Sequence, residues 1–388
     1  MAELTAFLSP NGQSTSQGDG PATRLKVATV EGLATLTRSE AGAPWTLAGR
    51  SLVDRHIGSL LFEPMSGKLF AGAHDDGGLW VSDDGLGNDW RPLTNGLDRP
   101  HIYTLAARRV GDQVTLFLGT APAALYRSND LGESWLEIKS FLDVPDTDKW
   151  TFPPPPHIPH VKHIVFHPDE DETIFVCVEQ GALLISHDDG ETWIEKSSYS
   201  KAGEIAYRDL HRLLIHPQKA DQLYLASGEG LYRSDDGGDA WEQLTRRGDK
   251  LGYPDFLYHD PRDDGVLYMG GSYRNPGYWK QVGQADSSVL RSTDRGETWE
   301  PLDQGLPDPV IGAFEAMALH SWNTNQSRGM MLVLGTATGE LYTSEVNGDD
   351  PPSGWTCIAR GIAPVSKDDH HFQFMKTEKG KLTGENRS

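Results

Sequence analysis

The chain has 388 residues, with 35 Lys plus Arg against 56 Asp plus Glu and a formal charge of −21. That surplus of negative charge repels a phosphate backbone and no basic run reverses it locally, so nucleic acid is excluded as a partner. No apolar run reaches the roughly 20 residues of a membrane span, and the opening stretch lacks the charged and apolar regions of a secretory leader; the expectation is a protein of the reducing cytoplasm with no membrane partner.

Residues 1–23 are mostly polar and are expected to form a disordered arm, as is the tail 377–388; the span 24–376 between them is expected to be one domain. It opens on "LKVATVE", "LATLTRS" and "WTLAG", three short β runs divided by turn residues. Later blocks carry four such runs each, as in "HVKHIVFHP", "TIFVCVE", "ALLISHD" and "TWIEK". Cys177 and Cys357 both lie inside apolar strand-like runs and are expected to be buried thiols.

Four segments share one pattern: a strand, Ser-x-Asp-x-Gly-x-x-Trp, then another strand. They hold Ser128, Asp130, Gly132 and Trp135; Ser186, Asp188, Gly190 and Trp193; Ser234, Asp236, Gly238 and Trp241; and Ser292, Asp294, Gly296 and Trp299. Degenerate copies end on Trp45, Trp90 and Trp355, and the seven tryptophans are 45, 45, 58, 48, 58 and 56 residues apart, enough for a four-stranded unit plus a loop. The pattern resembles the Asp-box, or BNR repeat, of sialidase-like and related β-propellers. The resemblance implies an all-β, seven-bladed β-propeller whose boxes are structural turns on the face opposite the active site. It also implies a ring closed by the two chain ends, with "HHFQFMK" supplying the innermost strand of the blade that the N-terminal strands begin.

The first strand of each unit would then line the central channel. These strands read "RHIGSLLFEP", "PHIYTLAAR", "PHVKHIVFHP", "RDLHRLLIHP", "YPDFLYHDP" and "AFEAMALHS". Stacked on their apolar cores, they align Gly58, Tyr103, Lys162, His211, Asp255 and Glu315 in one column, with His56, His101, His160 and Asp209 two residues earlier. His167, His216 and His320 fall at the far ends and are expected to be turn or packing residues, His187 to be solvated, and His157 to belong to a lid.

Imidazoles and carboxylates converging from several strands suit a divalent transition metal, Zn, Mn, Fe, Ni or Cu. The candidate ligands are His56, His101, His160, His163, His211 and His371, with the qualification that His163 has the opposite strand parity to His160. Asp255 and Glu315 are the candidate catalytic carboxylates. Arg55, Arg99 and Arg208, which precede inner strands, and His74, Glu179 and Glu229, at turns between second and third strands, are candidate substrate contacts. Tyr273 and Arg274 join them from the long loop "GSYRNPGYWKQVGQADSS". The leading expectation is a metal-dependent hydrolase or lyase acting on a small polar molecule at the channel mouth. The alternatives are a glycoside hydrolase using Asp255 and Glu315 and a non-catalytic propeller that binds a protein or peptide.

Overall fold

The computed structural model describes residues 4–153, 155–196, 208–325 and 327–367. Strands form because β-branched, aromatic and leucine residues recur in runs of four to ten between Gly, Asp and Pro turns. The run Ile174–Glu179 is buried at every position. Its alternation divides it between two cores: Ile174, Val176 and Val178 pack with Val161 and Leu184, whereas Phe175 and Cys177 pack with Leu210 and Leu213 of the next sheet. A sheet sandwiched between two others needs apolar residues on both faces, which explains the unbroken hydrophobic run. Burial pushes the Cys177 thiol up to about 12, while Cys357 is half-exposed, less enclosed than expected.

The chain divides into two compact units, Gly58–Arg246 and the pair of segments Met1–Ile57 with Arg247–Ser388. The first unit carries four four-stranded sheets in sequence order, beginning with the strands Ile57–Glu63, Ile102–Val110, His160–Phe166 and Leu210–His216. The second carries three, whose outer strands follow from Arg24–Thr29, Tyr253–Asp260 and Phe314–Asn323. The seven sheets are the blades of an all-β, seven-bladed β-propeller.

Each repeat turn is closed by its own side chains. Ser186 Oγ donates to Asp188 Oδ1 at 2.8 Å and accepts the Gly190 N–H at 2.8 Å, while the Thr192 N–H and hydroxyl donate to the same carboxylate at 2.8 and 2.6 Å. The turns at Asp130 and Asp294 repeat this bonding, the turn at Asp236 repeats it without the hydroxyl because Ala240 stands in that place, and the three glycines have φ between +88° and +91°, a backbone that a side chain would strain.

Five first strands share a further irregularity that strand alternation does not predict. The ladder slips by one residue between Ile102 and Thr104, Val161 and His163, Leu210 and Arg212, Pro254 and Phe256, and Phe314 and Ala316. The extra residues are Tyr103, Lys162, His211, Asp255 and Glu315, so the polar column is a column of β-bulges. A bulge leaves its extra residue outside the pairing and re-aims its side chain.

The N-terminal arm expected to be disordered is instead folded. Thr5–Leu8 runs parallel to Arg24–Thr29, and Thr15–Gly18 runs parallel to Phe314–Asn323. Ala6, Phe7 and Leu8 are buried, so a three-residue apolar run inside a polar stretch was enough to complete a sheet. Thr5–Leu8 thereby takes the edge position expected for "HHFQFMK", which with the tail 377–388 lies outside the described residues. No helix among the described residues is long and apolar enough to cross a membrane.

Both long loops are packed structure. Phe141 and Trp150 of the loop before His160 join the core between the second and third sheets of the first unit. The other loop contains the helix Pro276–Val282, capped by the Asn275 side chain accepting the Tyr278 N–H at 3.2 Å and ended by Gly283 in the left-handed region. Trp279 of that helix is fully buried against Ala285, Ala313 and Ala337.

Candidate functional site

In the unit Gly58–Arg246 the bulges bring together a buried polar cluster. Glu179, at the end of its strand, accepts the His160 Nε2 hydrogen bond at 2.8 Å and the Lys162 ammonium at 2.6 Å, both on Oε2. Burial alone would push the Glu179 carboxyl up, but the Lys162 charge and the His160 hydrogen bond outweigh it and hold the group well below the ordinary carboxylate range. His211 Nε2 lies 3.5 Å from Asp209 Oδ1.

Beside this cluster the rings stack. Tyr103 lies between His160, at 3.8 Å between centroids, and His74, at 5.3 Å, with His101 4.7 Å from His74 and Phe152 edge-on to His160 at 4.7 Å. Gly58 occupies its place in the column because a Cβ there would meet His74 Nε2 at 2.0 Å. His74, expected at a second-to-third strand turn as a substrate contact, is buried as a packing ring.

Glu179, Asp209 and His211 offer ligand atoms within 4.8 Å of one another, a donor set that suits a small divalent ion. Lys162 already places a full positive charge on Glu179 Oε2. The other expected ligands are differently engaged. His163 Nδ1 accepts the Leu213 N–H at 3.3 Å, and burial, with the charges of Arg212 and Lys162, drives its pKa well below the usual imidazole value. The bulge at Lys162 also sets His163 opposite Cys177 and His160 opposite Glu179, two residues apart on the partner strand, so simple parity misjudged its face. His56 Nε2 bonds the Ser366 carbonyl at 3.1 Å in the other unit, and His371 lies outside the described residues.

In the unit of segments 1–57 and 247–388, Lys367 gathers the two candidate catalytic carboxylates. Its Nζ lies 2.6 Å from Asp255 Oδ1, and its backbone N–H donates to Glu315 Oε2 at 3.1 Å. Asn11 Nδ2 donates to the Lys367 carbonyl at 3.2 Å, tying the N-terminal segment to the same residue. Asp255, Glu315 and Lys367 are all buried. Lys162 stood in the sequence column without a role, and Lys367 sits in an aperiodic stretch with no motif to mark it.

The remaining candidates are spread out. Arg99 bonds the Ala123 carbonyl and pairs with Glu137 at 3.4 Å, and Arg208 pairs with Glu195 at 3.0 Å, ordinary ion pairs at sheet margins. Arg55 donates its backbone N–H to the Leu52 carbonyl in a turn, and the Glu229 carbonyl accepts from Gln243. Arg274 stacks on Tyr273 and Tyr278, each 5.2 Å from its guanidinium, so the loop aromatics are joined to one another. His167 and His216 each accept through Nδ1 the N–H two residues on, at 3.2 and 3.1 Å, the turn role expected of a His-Pro step. His320 donates from Nε2 to the Gly20 carbonyl and accepts from Ser16 at Nδ1, and burial lowers its pKa. His187 is exposed, and His157 bonds the Phe152 carbonyl at 2.8 Å.

Comparison with known proteins places this geometry in context. Residues 180–309 match the model of the Sortilin-Vps10 family, described as sortilin, neurotensin receptor 3. A xyloglucanase of Paenibacillus sp is 26% identical over 299 residues, covering 67% of this chain and 26% of the relative. An oligoxyloglucan-reducing end-specific xyloglucanase of Emericella nidulans is 22% identical over 256 residues, covering 61% and 28%. The chain thus spans about a quarter of the length of these relatives. The crystal structure of an ancestral GH74 enzyme superposes with a TM-score of 0.57 at 16% identity, over 76% of this chain and 38% of that one, a likeness of fold. These findings overturn the expectation of a metal-dependent hydrolase or lyase: the relatives are glycoside hydrolases, as the alternative expectation had it.

Proposed function

We propose that this chain is a glycoside hydrolase that cleaves a β-glucan of the xyloglucan class, with Asp255 and Glu315 as its carboxylate pair. The observation that carries the reading is the shared contact with Lys367, which brings two carboxylates from neighbouring sheets onto one residue. Sequence similarity to xyloglucanases over two thirds of the chain supports the substrate class. Asp255 faces a full positive charge, which suits the ionised partner that acts as base or nucleophile. Glu315, the other member of the pair, is assigned the protonation of the leaving oxygen. The Ser-x-Asp-x-Gly-x-x-Trp turns, bonded alike in four sheets, support assigning the chain to the Asp-box propellers.

The test is release of reducing ends from xyloglucan by the full chain. Asp255→Asn and Glu315→Gln are each expected to lower the rate at least a hundredfold while the melting temperature stays within a few degrees. Equal rates in all three proteins, or no release by the unmodified chain, would remove the reading. One observation favours a second reading, a protein-binding propeller: both carboxylates are buried and bonded, as a scaffold requires. Under that reading Asp255→Asn lowers the melting temperature strongly and no glycan is cleaved.

A further inference from the structure

Outside the carboxylate site, the same unit contains a furrow of about 800 Å³ between the turn 41–45 and the outer strands Leu341–Asn347 and Thr356–Ala359. Among the described residues its only charged lining residues are Arg38 and Glu345, paired at 2.7 Å between Nη1 and Oε2. Arg38 is held in three ways: Nε donates to the Ala22 carbonyl at 2.8 Å, Nη1 meets Glu345, and the guanidinium lies 4.6 Å over the Trp45 ring. Its Nη2 is buried and has no hydrogen-bond partner among the described residues. A buried donor left without an acceptor costs roughly 1–3 kcal/mol, so the fold holds a group that a ligand acceptor would satisfy.

The surroundings narrow the ligand's chemistry. An anion would meet Glu345 and a cation would meet Arg38, so the floor has no net charge to select either. An apolar ligand would leave the guanidinium unsatisfied. Around the floor stand Gln304, Asn347 and Thr356, neutral side chains that both donate and accept. Adjacent hydroxyls of a sugar ring supply the matching pair, one donating to a carboxylate and its neighbour accepting from a guanidinium. The volume falls within the range of small-ligand sites.

We propose that this furrow is a second carbohydrate site, which binds a neutral oligosaccharide through Arg38 and Glu345 without cleaving it. The choice of glycan rests on the glycoside hydrolase reading, but the furrow includes none of the residues of the carboxylate site.

The experiment is calorimetric titration of a xyloglucan heptasaccharide into the full chain carrying Asp255→Asn, so that turnover does not interfere, and into the same protein with Glu345→Gln or Asn347→Ala added. Asn347 is exposed, so its variant tests the furrow even if Glu345→Gln disturbs the fold. The expected result is at least tenfold weaker binding with Glu345→Gln and severalfold weaker binding with Asn347→Ala. Unchanged affinity in both variants, or no binding to the Asp255→Asn parent, overturns the proposal. If the chain hydrolyses nothing yet both furrow variants lose the heptasaccharide, the furrow stands and the hydrolase reading falls.

Discussion

Lys162 and Glu179 form an ion pair at 2.6 Å with both side chains buried, beside His160 of the inner-strand polar column. An ammonium from an inner-strand bulge offsets a carboxylate that burial alone would penalise. His160 supplies a second donor to the same oxygen, so the charge of Glu179 is met from two directions.

Removing the ammonium should therefore be costly. Lys162→Met leaves Glu179 as an uncompensated buried charge and is expected to destabilise the fold by about 3–5 kcal/mol, read as a drop in urea midpoint. The double variant Lys162→Met with Glu179→Gln should recover much of that loss. A single variant as stable as the parent would show that the pair contributes nothing.

A methyl group added at Gly58 has nowhere to go. Gly58→Ala brings a Cβ to 2.0 Å from His74 Nε2, and the expected cost of overpacking is about 1–3 kcal/mol. Adding His74→Ala should relieve most of it, and a double-mutant cycle measures the coupling. Additive losses would mean that the two residues do not meet as described.

Stability should fall as the medium becomes mildly acidic. His163 and His320 have folded-state pKa values below their unfolded values, so the folded state binds fewer protons and their contribution is complete only above the unfolded value of about 6.5. The urea midpoint is expected to drop between pH 7 and pH 5.5. A second decline follows at lower pH: Asp188, Asp236 and Asp294 are held below their ordinary values by hydrogen bonds from Thr192, Ala240 and Thr298, and that stability is lost as pH falls through the lowered values. A midpoint constant from pH 7 to pH 5.5 would contradict the neutral, buried state of the two imidazoles.

Hydrolysis of xyloglucan, if performed by Asp255 and Glu315, needs no metal. Dialysis against a chelator is expected to leave the rate unchanged, whereas Lys367→Met should lower it at least tenfold by releasing Asp255 from its ammonium. Because Lys367 acts through its partners, the informative readout is the pH profile: its acidic limb should shift upward in Lys367→Met. An unshifted profile would reduce Lys367 to a structural role.

The repeat was legible because its interactions are local. Ser186, Asp188, Gly190 and Thr192 bond to one another within seven residues, so the turn, the strand pair around it and the count of seven sheets follow from a motif and its spacing. The polar column was legible too, since the inner strands align on their apolar cores. What that column does was decided only by the tertiary structure. The bulges that re-aim Lys162 and His211 arise from cross-strand register, which alternation along one strand does not encode. Lys367 reaches Asp255 across more than a hundred residues of chain, and Asn11 reaches Lys367 across 356. The four apolar-edged residues Thr5–Leu8 became a strand because a neighbouring edge was open to them, not because their own sequence is strongly β-forming. Short-range hydrogen bonding and periodicity are written in the order of residues; which buried charge meets which counter-charge depends on the packing of sheets far apart in sequence.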